Sequence, residues 1–217
     1  PYLDQLFNPK SVAIIGASQQ PGKVGAIVVE NILNSGFAGK IFPVNPNATS
    51  INNLTCYPDI TALPETPDLT MIAIPAPLVI PVMEQVGQKG CHNVVIFTAG
   101  FKETGTEGQE LEKQLIAVAQ KFGINILGPN CLGFVNNNTP INATFSQSIK
   151  HYGRIRFITQ SGAIASSIFD WCEATGLGFN QFVTLGNKAN LAEHQILQYW
   201  LEQEQANKSQ AIDMISQ

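Results

Sequence analysis

Charge is what this sequence has least of. Only 13% of its 217 residues are Asp, Glu, Lys or Arg, against roughly 25% in an ordinary soluble domain, so Asn and Gln carry much of the polar surface. The shortage affects both signs: 12 basic and 16 acidic residues leave a formal net charge of −4. That balance excludes the basic footprint a nucleic-acid partner needs, while leaving room for a local pocket that holds a small anion. Cysteine is also sparse. Cys56, Cys91, Cys131 and Cys172 are widely spaced, with no C-x-x-C pair and no histidine cluster beside them, which argues against a zinc site and for reduced thiols. No apolar run reaches 18 residues and no signal-peptide start or lipidation motif occurs, so a cytoplasmic protein without a membrane partner is expected. The initiator Met is missing and the end "AIDMISQ" reads as a strand. Both suggest a portion cut from a longer protein.

Hydrophobic residues, at 44%, suffice for a substantial core. Short Val- and Ile-rich runs alternate with helical patterns, the signature of βαβ units around a parallel sheet buried on both faces, and thus an α/β fold. Strands are expected near Ser11–Gly16, Lys40–Val44, Leu69–Ile74, Asn93–Phe97 and Asn125–Leu127. Between the last two, "TEGQELEKQLIAVAQKF" offers Thr106 and Gln109 as a capping box and Leu111, Leu115, Val118, Ala119 and Phe122 as one face, with a stop at Gly123. The division expected is a first domain over residues 1–135, a linker over 136–152 rich in Asn, Gly and Pro, and a second α/β unit over 153–217. The second unit reads as "RIRFIT", a helix "QSGAIASSIFDWCEATG" with Ile164, Ile168 and Trp171 or Cys172 on a stripe, "FNQFVTL", a helix near Leu191–Leu201 and a terminal strand "AIDMIS". That is short for a doubly wound domain, so a truncated one is expected.

The stretch "SVAIIGASQQPGKVGAIVVENIL" runs from strand through a glycine turn into helix, with Gly16, Gly22 and Gly25 spaced G-x5-G-x2-G. The spacing departs from the dinucleotide fingerprint G-x-G-x-x-G, but the physics is shared: glycines admit a phosphate close to the backbone, and the helix N-terminus favours negative charge. A turn that merely links strand to helix fits the local pattern as well. Lys23 adds a point charge. At the end of the second strand, where an acid would read the ribose of NAD, stands Asn45, which does not repel a ribose phosphate and admits CoA or NADP. "IPAP" and "TAGF" leave the third and fourth strands towards the same crevice.

In this order "SVAIIGAS…PGKVG", "IFPVNP", "IPAP", "TAGFKE", "GPNCLG" and "QSGAIASSIFDW…G" resemble the CoA-binding and adjoining ligase domains of NDP-forming acyl-CoA synthetases, and more distantly the succinyl-CoA synthetase alpha subunit. The resemblance implies a Rossmann-like CoA-binding domain followed by a flavodoxin-like ligase domain. It implies formation of acyl-CoA from a carboxylic acid, CoA and a nucleoside triphosphate, by way of an acyl phosphate and a phosphohistidine. It implies that Gly16, Ser18, Pro21, Gly22, Lys23, Val24 and Gly25 surround the CoA phosphates. Asn45 and Pro46 would border the adenosine, and Pro75, Ala76, Pro77, Thr98, Ala99, Gly100 and Phe101 would line the course towards the thiol. Asn130 and Cys131, with Ser161, Gly162 and Ala163, would lie at the phosphohistidine site. Ser161 also reads as a plain helix N-cap. Cys131, beside Leu132 and far from any histidine in sequence, reads as structural.

The sequence departs from the family in two places. No His-Thr-Gly or His-Ala-Gly motif occurs, and His92, His151 and His194 read as surface residues; no catalytic residue is assigned, and the fragment alone is expected to be inactive. The second departure is Asn47, which stands where relatives often carry a lysine suited to the ribose phosphate. The implied ligand of the chain is CoA, with ATP or ADP and Mg used only by the complete protein, an ATP-grasp domain or subunit as partner, and homo-oligomerisation left open. The alternative is a CoA or acyl-CoA sensing module fused to a protein acetyltransferase; an NAD(P) oxidoreductase is weaker because the acidic ribose ligand is absent and the glycine spacing is wrong.

Overall fold

The structure, a computed structural model, describes residues 3–146 and 152–215. Along the chain run α1 (Leu3–Phe7), β1 (Ser11–Ile15), α2 (Val24–Asn34), β2 (Lys40–Val44), the short hairpin β3 (Ser50–Ile51) and β4 (Leu54–Thr55), β5 (Leu69–Ile72), α3 (Ala76–Gln88), β6 (Asn93–Ile96), α4 (Thr106–Phe122) and β7 (Asn125–Leu127). There follow β8 (Gly133–Asn136), β9 (Ile141–Thr144), β10 (Tyr152–Thr159), α5 (Gly162–Thr175), β11 (Phe179–Thr184) and α6 (Glu193–Ile215).

The first five expected strands form one parallel sheet in the order β2-β1-β5-β6-β7. Every residue of β1, β5 and β6 is buried, as a sheet covered by helices on both faces requires. The strand order reverses at β1, whose neighbours are β2 and β5. The connections leaving the carboxyl ends of the paired strands β1 and β5 therefore diverge, opening the crevice where open α/β sheets bind ligands.

A second sheet has the order β10-β11-β8-β9, with β10 and β11 parallel and the other pairs antiparallel. The stretch read as a linker thus contributes β9, hydrogen-bonded to β8, to this sheet. The two units share a core: Val28 and Ile32 of α2 pack in one cluster with Phe134, Ile141 and Val183. Asn31 on α2 donates to the carbonyls of Thr144 and Ser146 at 2.8 and 2.9 Å, fastening β9 against the first unit.

Three local readings are corrected. Thr106 is the first residue of α4 and caps nothing; Gly105, at φ +105, holds the cap position, and the Gln109 amide bonds its carbonyl. The helix does stop at Gly123, in the left-handed conformation. On α5 the buried stripe is Ala165, Phe169 and Cys172, while Ile164 and Trp171 are 52% and 55% exposed. Of the residues expected on one stripe, Cys172 is buried and Ile168 packs partly covered against the same cluster, so the covered face is rotated from Ile164 and Trp171 towards Ala165 and Phe169. Residues 211–215, read as a strand, extend α6 instead, because "LEQEQANKSQA" holds good helix formers and neither Gly nor Pro to stop the helix.

Candidate functional site

The crevice is built on the glycine turn. Gly16 follows β1 directly at φ +88, and a Cβ there would lie 2.4 Å from the Ala73 carbonyl oxygen just beyond β5. Gly25, in the first turn of α2, needs its missing side chain for another reason: a Cβ would stand 1.9 Å from the Gly16 carbonyl oxygen. The head of α2 is thereby set directly against the end of β1. Lys23 holds the cap position with extended backbone and no side-chain capping bond, so the leading amides of Val24 and Gly25 and the positive end of the helix dipole remain free to meet an anion.

Above the turn opens a cleft of about 760 Å³, within the range of small-molecule and cofactor sites. Its walls are apolar, from Ile15 and Val44 at strand ends, Ile60 in a 3-10 turn, Ile74, and Leu78 and Val82 on α3. Polar groups come from Ser18, Lys23, Asn45, Asn47, Asp59 and Gln85. Asn45 is fixed by its amide, which donates to the Ala17 carbonyl at 2.8 Å while its oxygen accepts from the Asn47 amide at 2.9 Å. It ties the end of β2 to the glycine turn and places no charge there. Asp59 caps the 3-10 turn, and the Thr61 hydroxyl, helped by the Thr61 and Ala62 amides, holds its carboxyl below the usual value.

Gly16, Ser18, Lys23, Val24, Gly25, Asn45, Pro46 and Pro75 all line this cleft. Pro21 and Gly22 form the exposed outer arm of the turn, and Ala76 and Pro77 start α3. Thr98, Ala99, Gly100 and Phe101 do not line it: Phe101 is wholly buried in the core, and the Thr98 hydroxyl donates to the Ile74 carbonyl at 2.7 Å, behind the wall. Sequence reasoning missed Leu78, Val82 and Gln85. Their i, i+4, i+7 spacing marks a helix face, and Leu78, 54% exposed, is the apolar residue on that face left without cover.

A second cleft, of about 400 Å³, brings Asn130, Cys131, Ser161 and Gly162 together with Phe97, Phe145, Gly186 and Asn187; Ala163 lies outside it. The Ser161 hydroxyl caps α5, accepting from the Ile164 amide at 3.3 Å. Burial pushes the Cys131 thiol up to about 12, and its Sγ faces the Ile96 and Leu127 carbonyls at 3.5 and 3.6 Å. It is a packed thiol, with no thiolate for nucleophilic chemistry at neutral pH. Gly186 and Asn187, from the loop after β11, were not singled out in the sequence. The close approach of that loop to Pro129 and Asn130 shows in Gly186, where a Cβ would meet the Pro129 carbonyl oxygen at 2.3 Å.

His194 is exposed on α6, His92 is half-buried near the Gly123 carbonyl, and neither lines either cleft; His151 lies outside the described residues. Among the described residues no group of three His, Cys, Asp or Glu side chains is arranged to hold a metal ion, and no helix is long and apolar enough to cross a membrane.

Residues 10–137 match the model of a CoA binding domain, and residues 152–209 that of a succinyl-CoA ligase like flavodoxin domain. The chain is 44% identical over 197 residues to an ADP-forming acetate–CoA ligase I of Archaeoglobus fulgidus, covering 91% of this chain and 28% of that one. It is 38% identical to the alpha subunit of the ADP-forming acetate–CoA ligase I of Pyrococcus furiosus, over 93% of this chain and 45% of the relative. A solved dinucleotide-forming acetyl-coenzyme A synthetase 1 of Ca. Korarchaeum cryptofilum, in complex with phosphate and ADP, superposes with a TM-score of 0.87 at 36% identity, over 91% of this chain and 42% of that chain. The chain thus spans less than half the length of these relatives. With its glycine turn at the switch point of a parallel sheet and a flavodoxin-like unit behind it, the chain belongs to the CoA-binding domain family and corresponds to the CoA-binding portion of the ADP-forming acyl-CoA synthetases.

Proposed function

We propose that the chain holds CoA for an acid–thiol ligase that forms acyl-CoA from a carboxylic acid, CoA and a nucleoside triphosphate. The observation that carries this reading is the fit between the larger cleft and the adenosine-phosphate half of CoA. The glycine turn presents the Val24 and Gly25 amides and Lys23 to phosphate, and an apolar slot between Val44, Ile60 and Leu78 suits a flat base. Gly16, Ser18, Lys23, Val24 and Gly25 bind the phosphates in this account, while Asn45 and Pro46 border the ribose. Pro21 and Gly22 shape the turn.

Neither His92 nor His194 lines the larger or the smaller of these two clefts, so the account has the phosphoryl-carrying histidine, the nucleotide, Mg and the ATP-grasp partner contributed from outside these 217 residues. The Pyrococcus furiosus relative is named as an alpha subunit, which supports a partner subunit or domain. Asn130, Ser161 and Gly162, gathered in the smaller cleft, are the residues suited to face that histidine. Four free, buried cysteines accord with a reducing cytoplasm.

Calorimetric titration of the chain with CoA, and in parallel with NAD, tests this reading. The expected result is saturable one-to-one binding of CoA and none of NAD. Binding of NAD alone, or of neither, would overturn it.

A further inference from the structure

The two clefts are joined by a chain of hydrogen bonds that runs through Asn187. Its side-chain amide donates to Oε2 of Glu103 at 2.5 Å and to Oε2 of Glu112 at 2.8 Å, and its Oδ1 accepts from the Asn130 amide at 3.4 Å. Its backbone amide donates to the Pro129 carbonyl at 2.9 Å. On the side of the larger cleft, Oε1 of Glu103 accepts from the amides of Gly100 and Phe101 at 2.6 and 3.2 Å. The same loop reaches the wall of that cleft through the bond from Thr98 to the Ile74 carbonyl, and through Gly100, whose position for a Cβ is 3.0 Å from the Ala76 methyl. Lys102 closes the cluster. Its ammonium pairs with Oε1 of Glu112 at 3.0 Å and donates to the Asn187 carbonyl.

The chemistry singles out an amide at position 187. Asn187 sits between two carboxylates, Glu112 being 4% exposed, and must give a proton to each while accepting from Asn130. A carboxamide offers two N–H donors and an acceptor; a hydroxyl has one donor, and a carboxylate none. The loop that carries it is held tightly against the one that carries Asn130: Gly186 and Lys188 stand at φ +55 and +56, and Asn130 at φ +57. For three residues in the left-handed region, two of them not glycine, the surrounding bonds fix a conformation the chain would not adopt freely.

We infer that Asn187 is a positioning residue: with Glu103 it locks the loop behind the wall of the CoA cleft to Asn130 in the smaller cleft, so that the two sites share one geometry. This deepens the CoA reading and rests on it. None of the residues lining the larger cleft is hydrogen-bonded to Asn187, so an effect of residue 187 on CoA must pass through the loop from Thr98 to Glu103, which Asn187 holds directly at Glu103 and which Asn130 meets through its backbone amide, donating to the Thr98 carbonyl at 3.0 Å.

The test is CoA affinity of the 217-residue chain carrying Asn187→Ala, Asn187→Asp, and Asn187→Asp combined with Glu103→Gln. A residue that merely fills space predicts that the isosteric Asp is milder than Ala. The amide lock predicts the reverse, because Asp sets a third carboxylate against Glu103 and Glu112. The expected result is about threefold weaker binding for Ala and tenfold or more for Asp, with at least a threefold recovery when Glu103→Gln restores a donor–acceptor pair. Asp no worse than Ala, or no recovery in the double variant, overturns the inference. Hydrogen exchange at the Gly100 and Phe101 amides supplies a readout independent of CoA: it should quicken at least tenfold in Asn187→Ala, and unchanged exchange overturns the inference. If wild-type chain takes up no CoA, the functional reading fails, and exchange alone then decides the role of Asn187.

Discussion

Replacing Gly25 by Ala sets two effects against each other whose sizes are known. In a helix interior Ala is favoured over Gly by about 1 kcal/mol, so propensity alone predicts a stabilised chain. The added methyl, however, would sit 1.9 Å from the Gly16 carbonyl oxygen, against the 3.0 Å below which real Cβ atoms essentially never approach a neighbour. That oxygen belongs to backbone fixed by the β1 strand end, so the head of α2 must retreat by at least 1.1 Å. Overpacking of this kind costs about 1–3 kcal/mol, which exceeds the propensity gain over most of its range. A shift of that size also carries the Val24 and Gly25 amides out of hydrogen-bond reach of a phosphate, since such bonds weaken steeply beyond about 3.2 Å. Gly22→Ala is the control. Its Cβ would meet nothing within 4 Å and its φ is +81, so it should lose about 1–2 kcal/mol of conformational energy without moving the helix. Urea denaturation and CoA titration on both variants separate the effects: Gly25→Ala should lose stability and at least tenfold in CoA affinity, Gly22→Ala stability with less than threefold in affinity. A Gly25→Ala chain that is more stable than wild type and binds CoA equally well would refute the reasoning.

Lys23→Ala should weaken CoA binding about three- to tenfold and flatten its dependence on salt, as removal of one partly screened charge predicts; titration at two ionic strengths checks this. Cys131, its thiol raised to about 12 by burial, should resist alkylation at pH 8 in the native chain and react once the chain is unfolded, as read by mass spectrometry. Burial pushes the Glu103 carboxyl up, but the Asn187 side chain and the Gly100 and Phe101 amides outweigh it and leave it below its ordinary 4.5. Its folded value being the lower one, its contribution to stability is complete above that ordinary value and is lost as pH falls through the folded one. The urea midpoint of wild type should therefore drop more steeply below about pH 4.5 than that of Glu103→Gln. On α5, Phe169→Ala should cost about 3–5 kcal/mol, since Phe169 packs 4.4 Å from the Phe182 ring, whereas Trp171→Ser should stay within about 0.5 kcal/mol; denaturation curves distinguish them.

What the sequence reveals is what depends on neighbours along the chain. The glycine turn, the Ser161 cap and the stop at Gly123 are each decided within a few residues, and they could be read directly. The parallel sheet was legible because runs such as "SVAII" and "LTMI" are apolar on both faces, which only a covered sheet tolerates. Where two local answers compete, tertiary contact chooses. Ile164, Ile168 and Trp171 or Cys172 read as one stripe, yet the approach of the sheet buries Ala165, Phe169 and Cys172, keeps Ile168 partly covered beside them and leaves Ile164 and Trp171 exposed. "GFVN" and "INAT" were hidden by the Asn-rich turn between them, which resembles a linker as readily as a hairpin. Asn187 was invisible for a stronger reason: its partners Glu103 and Glu112 lie 84 and 75 positions away, and no local pattern announces a bond of that span.

The most direct measurement is an amide-resolved NMR titration of the chain with CoA. The account predicts that the largest shifts fall on Gly16 to Gly25 and on Asn45 and Asn47, around the 760 Å³ cleft. Shifts confined to the region of Asn130 and Ser161, with the glycine turn unmoved, would contradict it.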